Sequence, residues 1–212
     1  MSDTKIKICG LSRQQDIEYV NEALPDFVGF VFAKSRRQVS PVTAAGLKSS
    51  LDKRIKSVGV FVNEDINLIE TLCTQGIIDY IQLHGDESPL YLQELTARLE
   101  KASCYKPLIK AVRVDGPMSL KEVLNLSSTE YLLLDALSGI EYGGTGKTFD
   151  WKLAKGIGKP FFLAGGLNYD NVISAIDTVR PFCLDVSSGV ETDGFKDRKK
   201  ILDLIKLVRS VK

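Results

Sequence analysis

The sequence predicts a single (β/α)8 TIM barrel spanning residues 1–212. Short runs rich in β-branched and aromatic residues alternate along the chain with longer segments of helical periodicity, a pattern typical of parallel βα units. About eight such units can be counted, whereas an open doubly wound sheet typically has about six strands. A length of 212 residues suits one well-buried domain, and no linker or low-complexity segment divides the chain.

The first four units each begin with a short apolar strand. These strands are predicted at residues 5–9, 27–32, 56–62 and 80–83, and the helices that follow them at 14–24, 41–51, 66–75 and 89–99. Ser40 and Ser88 each precede a proline, which predicts a capping serine with proline at the first helical position. Ser12 and Gln15 are spaced like a capping box and predict the start of the first helix.

The second half of the chain keeps the same alternation. Strands are predicted at residues 107–112, 131–135, 160–164 and 183–188, and helices at 151–155, 170–179 and 198–211. Ser119, with Glu122 three residues later, predicts a further helix between strands five and six. The charged run KDRKK at 196–200 is interpreted as the solvated start of the last helix.

Composition limits the class of partner. The chain carries 28 Lys and Arg against 27 Asp and Glu, so no strong net charge would draw it to nucleic acid or to an anionic membrane. No apolar run approaches the ~18 residues that span a bilayer, and the N-terminal segment lacks the apolar core of a signal peptide. We therefore expect a cytoplasmic protein with a small-molecule partner, either a monomer or a homodimer.

Cysteine and histidine usage argues against metal binding. Cys9, Cys73, Cys104 and Cys183 are scattered and form no Cys-x-x-Cys pair, which disfavours both a zinc site and a disulfide framework. His84 is the only histidine, so a multi-histidine metal site is excluded.

The segment GGTGKT at 143–148 raises the question of nucleotide binding. A P-loop requires a glycine five positions before the glycine that precedes the lysine, and that position holds Glu141. Glycine-rich segments nevertheless lie in each of the last three predicted loops, at 143–146, 165–168 and 187–189. Barrels often bind a phosphate in this region through backbone N–H groups, so we predict a phosphate-bearing substrate.

Polar residues at the ends of the predicted strands are candidates for the chemistry, because barrels place their active sites there. Cys9, His84, Asp135 and Asp185 each come from a different strand. Lys7 shares a strand face with Cys9, so an inward-pointing ammonium should lower the thiol pKa; the alternative is an unreactive buried thiol. Asp135 ends an apolar run, where a carboxylate is costly to bury without a role or a partner.

Eight segments together resemble the phosphoribosylanthranilate isomerase family, in order and over essentially the whole chain. They are KICGL (7–11), GFVFAKSRRQVSP (29–41), VGVFVN (58–63), IQLHGDE (81–87), LLLDA (132–136), GGTGKTFDW (143–151), LAGGLN (163–168) and DVSSGVE (185–191). The combined set is far more specific than any single glycine motif.

The resemblance implies an Amadori rearrangement in tryptophan biosynthesis, with neither cofactor nor metal. It implies that Asp135 is the general acid and Cys9 the general base, and that Arg37 pairs with the anthranilate carboxylate. His84 is expected near the substrate, and Asp185 is expected to position it. The implied phosphate-binding residues are Gly143, Gly144, Gly146, Gly165, Gly166, Ser187, Ser188 and Gly189.

Other hypotheses remain open. Indole-glycerol-phosphate synthase and the histidine-pathway isomerase are related phosphosugar barrels, but the first resembles a lysine and glutamate chemistry and the second uses two aspartates. A Schiff-base aldolase could use Lys110, which lies in an apolar strand. A barrel that binds a phosphosugar without catalysis would also fit the glycine-rich loops.

Overall fold

Eight parallel strands close into a barrel in sequential order, which confirms the predicted (β/α)8 architecture. The computed structural model describes residues 4–114, 129–136 and 150–211. The barrel strands are β1 Lys5–Cys9, β2 Phe27–Val31, β3 Lys56–Phe61, β4 Tyr80–Leu83, β5 Leu108–Val114, β6 Tyr131–Ala136, β7 Phe161–Leu163 and β8 Cys183–Val186. Closure is made by β8 against β1, where Lys5 pairs with Cys183 and Ile8 with Val186.

Helices follow the strands and cover the outside of the barrel. Those within the described ranges are α1 Gln14–Ala23, α2 Pro41–Ser49, α3 Ile66–Thr74, α4 Pro89–Lys101, α5 Val172–Val179 and α6 Arg198–Ser210, with a short 3-10 helix at Trp151–Ala154. The helix predicted from Ser119 and Glu122 lies outside the described residues. No helix in those ranges is long and apolar enough to cross a membrane.

Of the three predicted caps that lie in the described residues, two are confirmed. The Ser40 hydroxyl accepts from the Thr43 N–H at 3.0 Å, and the Ser88 hydroxyl begins α4 in the same way. The predicted Ser12 and Gln15 capping box is wrong. Asp16 instead accepts the N–H groups of Ser12 and Arg13, because its shorter carboxylate lies at the third position of the helix.

An aromatic cluster fills the amino end of the barrel interior. Its members are Phe27, Tyr80, Tyr131, Phe162 and Phe182. Ring centroids lie 5.2 Å apart for Phe27 and Tyr80 and 4.9 Å apart for Tyr131 and Phe182. Aromatic pairs in such arrangements stabilise the fold by more than their buried area alone would give. This cluster, called the aromatic plug below, therefore holds several strands together.

Polar side chains occupy the next interior layer, because side chains on one face of a strand recur every second residue. Beyond the cluster, β4 presents Gln82 two residues after Tyr80, β8 presents Asp185 two residues after Cys183, and β1 presents Lys7 on the same interior face. Asp135 lies four residues beyond the start of β6. All four are buried, with Lys7 fully so. The interior is therefore apolar at its amino end and polar at its carboxyl end.

A short hairpin after β8 was not predicted. It consists of β9 Glu191–Thr192 and β10 Phe195–Lys196, and its tip has positive φ at Asp193 (52°) and Gly194 (82°). An Asp-Gly pair is a strong hairpin signal that could have revealed it. The interpretation of residues 196–200 as a solvated run is wrong at its first member, because Lys196 is only 4% exposed.

Candidate active site

Five side chains form one continuous polar network at the carboxyl end of the barrel. The Lys7 ammonium lies 3.5 Å from the Cys9 Sγ and donates to the Gln82 Oε1 at 2.6 Å. The Gln82 Nε2 lies 2.9 Å from the His84 Nδ1. The His84 Nε2 lies 3.2 Å from the Asp135 Oδ2. The predicted acid and base thus lie at opposite ends of one set of contacts.

Lys7 carries a buried charge that is compensated locally. Its Nζ donates to the Asp185 Oδ2 at 2.8 Å, and the side chains of Lys7 and Asp185 are 0% and 8% exposed. Burial favours the neutral amine, but the Asp185 carboxylate outweighs it and holds the pKa of Lys7 above its ordinary value. The Asp185 Oδ1 is buried and has no hydrogen-bond partner among the described residues.

Cys9 lies at the end of β1, and the residue as a whole is only partly buried. Burial raises the pKa of this thiol, and it outweighs the ammonium groups of Lys7 and Lys196, which act in the opposite direction. Lys7 thus lowers the pKa of the Cys9 thiol as expected, but burial has the larger effect and the net direction is upward. Gly29 lies opposite Cys9 on β2, and a Cβ there would stand 2.5 Å from the Sγ.

Arg37 is held by a carboxylate that sequence analysis missed. Its Nε and Nη2 donate to the two oxygens of Glu191 at 2.7 and 2.9 Å. Arg36 and the buried Lys196 donate to the same carboxylate, each at 2.7 Å. Burial raises the pKa of Glu191, but the hydrogen bonds from Arg37 and Lys196 prevail and the net direction is downward. The Glu191 carboxylate therefore fixes the guanidinium that was predicted to bind the substrate.

Five of the eight predicted phosphate residues are described, and they lie in the loops after β7 and β8. Gly165 and Gly166 have positive φ of 87° and 64°. A Cβ on Gly189 would lie 2.0 Å from the Leu167 carbonyl oxygen, so the two loops pack together only with glycine at this position. Ser187 donates to the Cys9 carbonyl at 3.0 Å. Ser188 begins a short 3-10 helix; Gly143, Gly144 and Gly146 lie outside the described residues.

Lys110 is committed to an ion pair rather than to the site. Its Nζ lies 2.6 Å from the Glu87 Oε2 and donates to the Gly85 carbonyl at 2.7 Å. A Schiff base requires a free neutral amine, so this geometry disfavours the aldolase hypothesis.

The chain is a closed eight-stranded (β/α)8 barrel, and its polar side chains meet at the carboxyl ends of the strands. Enzymes of this class carry their active sites at that end of the barrel. Residues 6–207 match the family model described as N-(5'-phosphoribosyl)anthranilate (PRA) isomerase. The chain belongs to this family, as the resemblance of its motifs predicted.

Individual relatives agree with this assignment over their full length. A protein of Endomicrobium trichonymphae named N-(5'-phosphoribosyl)anthranilate isomerase is 47% identical over 207 residues, which covers 98% of this chain and 99% of the relative. The crystal structure of phosphoribosyl anthranilate isomerase from Thermotoga maritima is 39% identical, with a TM-score of 0.84 over 98% of this chain and all of that one. A further structure of the enzyme, in complex with reduced 1-(o-carboxyphenylamino)-1-deoxyribulose 5-phosphate, is 35% identical with a TM-score of 0.83, over 98% and 100% of the two chains.

Proposed function

We propose that this chain converts N-(5-phosphoribosyl)anthranilate into 1-(2-carboxyphenylamino)-1-deoxyribulose 5-phosphate in tryptophan biosynthesis, with Asp135 as general acid and Cys9 as general base. Family membership supports the reaction. The observation that carries the two roles is the polar network in the barrel mouth, which has the thiol at one end and the carboxyl group at the other.

The proposed reaction needs only proton transfers, because it moves hydrogen within one molecule. Asp135 gives a proton to the ribose ring oxygen as the C1–O bond breaks, and the anthranilate nitrogen supplies the electron pair for the Schiff base. Cys9, as thiolate, removes the C2 proton and leaves an enolamine. Protonation at C1 and loss of the C2 hydroxyl proton then give the ketone. A positioned acid and base are sufficient for these steps.

Substrate binding is assigned to the groups that surround this network. We assign the anthranilate carboxylate to Arg37, whose guanidinium suits a planar anion. We assign the phosphate to the glycine-rich loops after β7 and β8, where backbone N–H groups are suited to an anion. We assign a substrate-positioning role to Asp185, whose Oδ1 has no hydrogen-bond partner among the described residues.

The test is turnover of freshly prepared phosphoribosylanthranilate, followed by loss of anthranilate fluorescence. Asp135→Asn should lower kcat by about 10²- to 10⁴-fold with little change in binding, since the amide cannot donate an acidic proton. Asp177→Asn, on the exposed face of α5, is the matched control and should behave like the unmodified protein. A loss below about tenfold for Asp135→Asn would contradict its role. Ligand binding without turnover in the unmodified chain would favour a non-catalytic barrel.

A further inference from the structure

We propose that Lys7 and Gln82 hold His84 as the neutral tautomer with its proton on Nε2, so that His84 is a positioning donor to Asp135. This inference deepens the proposed function, on which the role of Asp135 rests. It assigns to Lys7, Gln82 and His84 a task that none of their individual contacts would define.

The orientation of the Gln82 amide is set by Lys7. An ammonium group can only donate hydrogen bonds, so the atom that lies 2.6 Å from the Lys7 Nζ must be the amide oxygen. The reversed amide would place two donors against each other inside a fully buried contact. The other partner of Lys7, the Asp185 carboxylate, keeps this ammonium charged and in place.

The orientation of Gln82 then determines the state of the imidazole. With its oxygen on Lys7, the amide turns its Nε2 toward the His84 Nδ1 at 2.9 Å. An amide nitrogen only donates, so Nδ1 must accept with its lone pair. A neutral imidazole that accepts at Nδ1 carries its proton on Nε2, and a protonated imidazole would place two donors face to face.

The tautomer has a consequence for the acid. In the tautomer inferred above, the protonated His84 Nε2 faces the Asp135 Oδ2 across 3.2 Å, within donating distance. Because the donor is neutral, it fixes one oxygen of Asp135 without forming an ion pair that would hold the group as a carboxylate. The other oxygen can then carry the proton that a general acid delivers. Lys7 thus orients the acid through two intervening side chains.

The experiment uses the fact that His84 is the only histidine in the chain. The imidazole ¹⁵N spectrum of the full-length protein, labelled at histidine, reports a single side chain. Near neutral pH we expect the signature of the neutral Nε2–H tautomer. An imidazolium or an Nδ1–H tautomer in the resting protein would overturn the inference, and this measurement requires no turnover.

Gln82→Glu supplies the kinetic arm. Its second carboxylate oxygen would accept from Nδ1–H, so the spectrum should shift toward the imidazolium, and kcat should fall by about tenfold or more with KM little changed. Gln93→Glu makes the same chemical change on the exposed face of α4 and should alter neither spectrum nor rate. A shifted spectrum with unchanged kcat would overturn the role of the tautomer. If the unmodified chain failed to turn over the substrate, the proposed function would fall, while the spectrum would still decide the tautomer.

Discussion

The pKa of the Cys9 thiol depends on the side chains that surround it. Its strand position and its neighbour Lys7 could be predicted from a period of two along β1, and their contact is confirmed. The direction of its pKa could not be predicted, because desolvation depends on side chains that arrive from other strands. A base of this kind rests as the thiol and reacts through its thiolate.

Alkylation of Cys9 should therefore depend strongly on pH. Since burial raises the pKa of the thiol, the thiolate fraction is small at neutral pH, and the rate of inactivation by iodoacetamide should still be rising above pH ~8.5, where an ordinary thiol is half ionised. Lys7→Met should move this rise to higher pH by removing an ammonium. The measurement is the inactivation rate against pH, and a plateau near neutral pH would contradict the raised pKa.

The other three cysteines show whether iodoacetamide inactivates the protein through Cys9 alone. Burial raises the pKa of Cys73 to about 12 and raises that of Cys183 well above its ordinary value. Cys104→Ser removes the other partly exposed thiol and should leave inactivation unchanged. Substrate should protect Cys9, and equal rates with and without substrate would place the reactive thiol elsewhere.

Glu191 illustrates what a linear sequence conceals. Its partner Arg37 lies 154 residues away along the chain, and no local pattern links the two residues. The motif DVSSGVE contains Glu191 but assigns it no partner. Its contacts follow from barrel closure, which brings the loop after β2 beside the hairpin after β8.

Glu191→Gln should raise KM by about tenfold with kcat little changed. One tenfold step corresponds to about 1.4 kcal/mol, a plausible cost for losing the charged anchor of a binding arginine. Arg36→Ala is the control, because Arg36 contacts the same carboxylate but its side chain is 57% exposed, where ion pairs contribute little. An equal rise in KM for Arg36→Ala would shift the assignment of the binding arginine. Steady-state kinetics with both variants decide the question.

Elements of the fold were predicted well wherever the hydrophobic period is clear, including α1, whose bounds were predicted although its cap was not. The strands and most helices fall within a few residues of their predicted bounds, whereas the hairpin of β9 and β10 was missed because each strand has only two residues. Between elements, Asp79 links the starts of β3 and β4. Its Oδ2 accepts from the Lys48 Nζ at 2.6 Å and from the Ser57 N–H at 2.8 Å. Such contacts depend on the order of the strands, and the alternation of elements predicted that order. They also depend on side-chain rotamers, which the alternation does not predict.

Asp79→Asn should lower the free energy of unfolding at pH 7 by about 1 kcal/mol, because hydrogen bonds to a charged acceptor become neutral ones. Burial raises the pKa of Asp79, but bonding to Lys48 and Ser57 prevails, and the folded pKa is lowered. This stabilisation is present above the unfolded pKa of about 3.9 and is lost as pH falls through the folded pKa. Urea unfolding of both proteins should show the difference shrinking in acid. A difference that persisted there would contradict the charge-based explanation.

At the scale of the whole molecule, the aromatic residues that stabilise the fold and the residues proposed for the chemistry lie at opposite ends of the barrel. Phe162 is fully buried in the aromatic plug, and it contacts Phe27, Tyr131 and Phe182. Phe162→Ala should lower the free energy of unfolding by about 3–5 kcal/mol through lost burial and a residual cavity. Leu90→Ala, where the side chain is 72% exposed, should change it by less than about 0.5 kcal/mol. Denaturant midpoints of the two variants test this separation.

The aromatic cluster at the amino end of the barrel also determines the side from which a ligand can reach the proposed site. Because the aromatic cluster fills the amino end of the interior, we expect ligands to reach the polar layer from the carboxyl end of the barrel. Substrate and product would then share one entrance, and we expect product to leave before the next substrate molecule binds. Product and substrate should therefore compete for the same site, and bound product should inhibit the enzyme competitively.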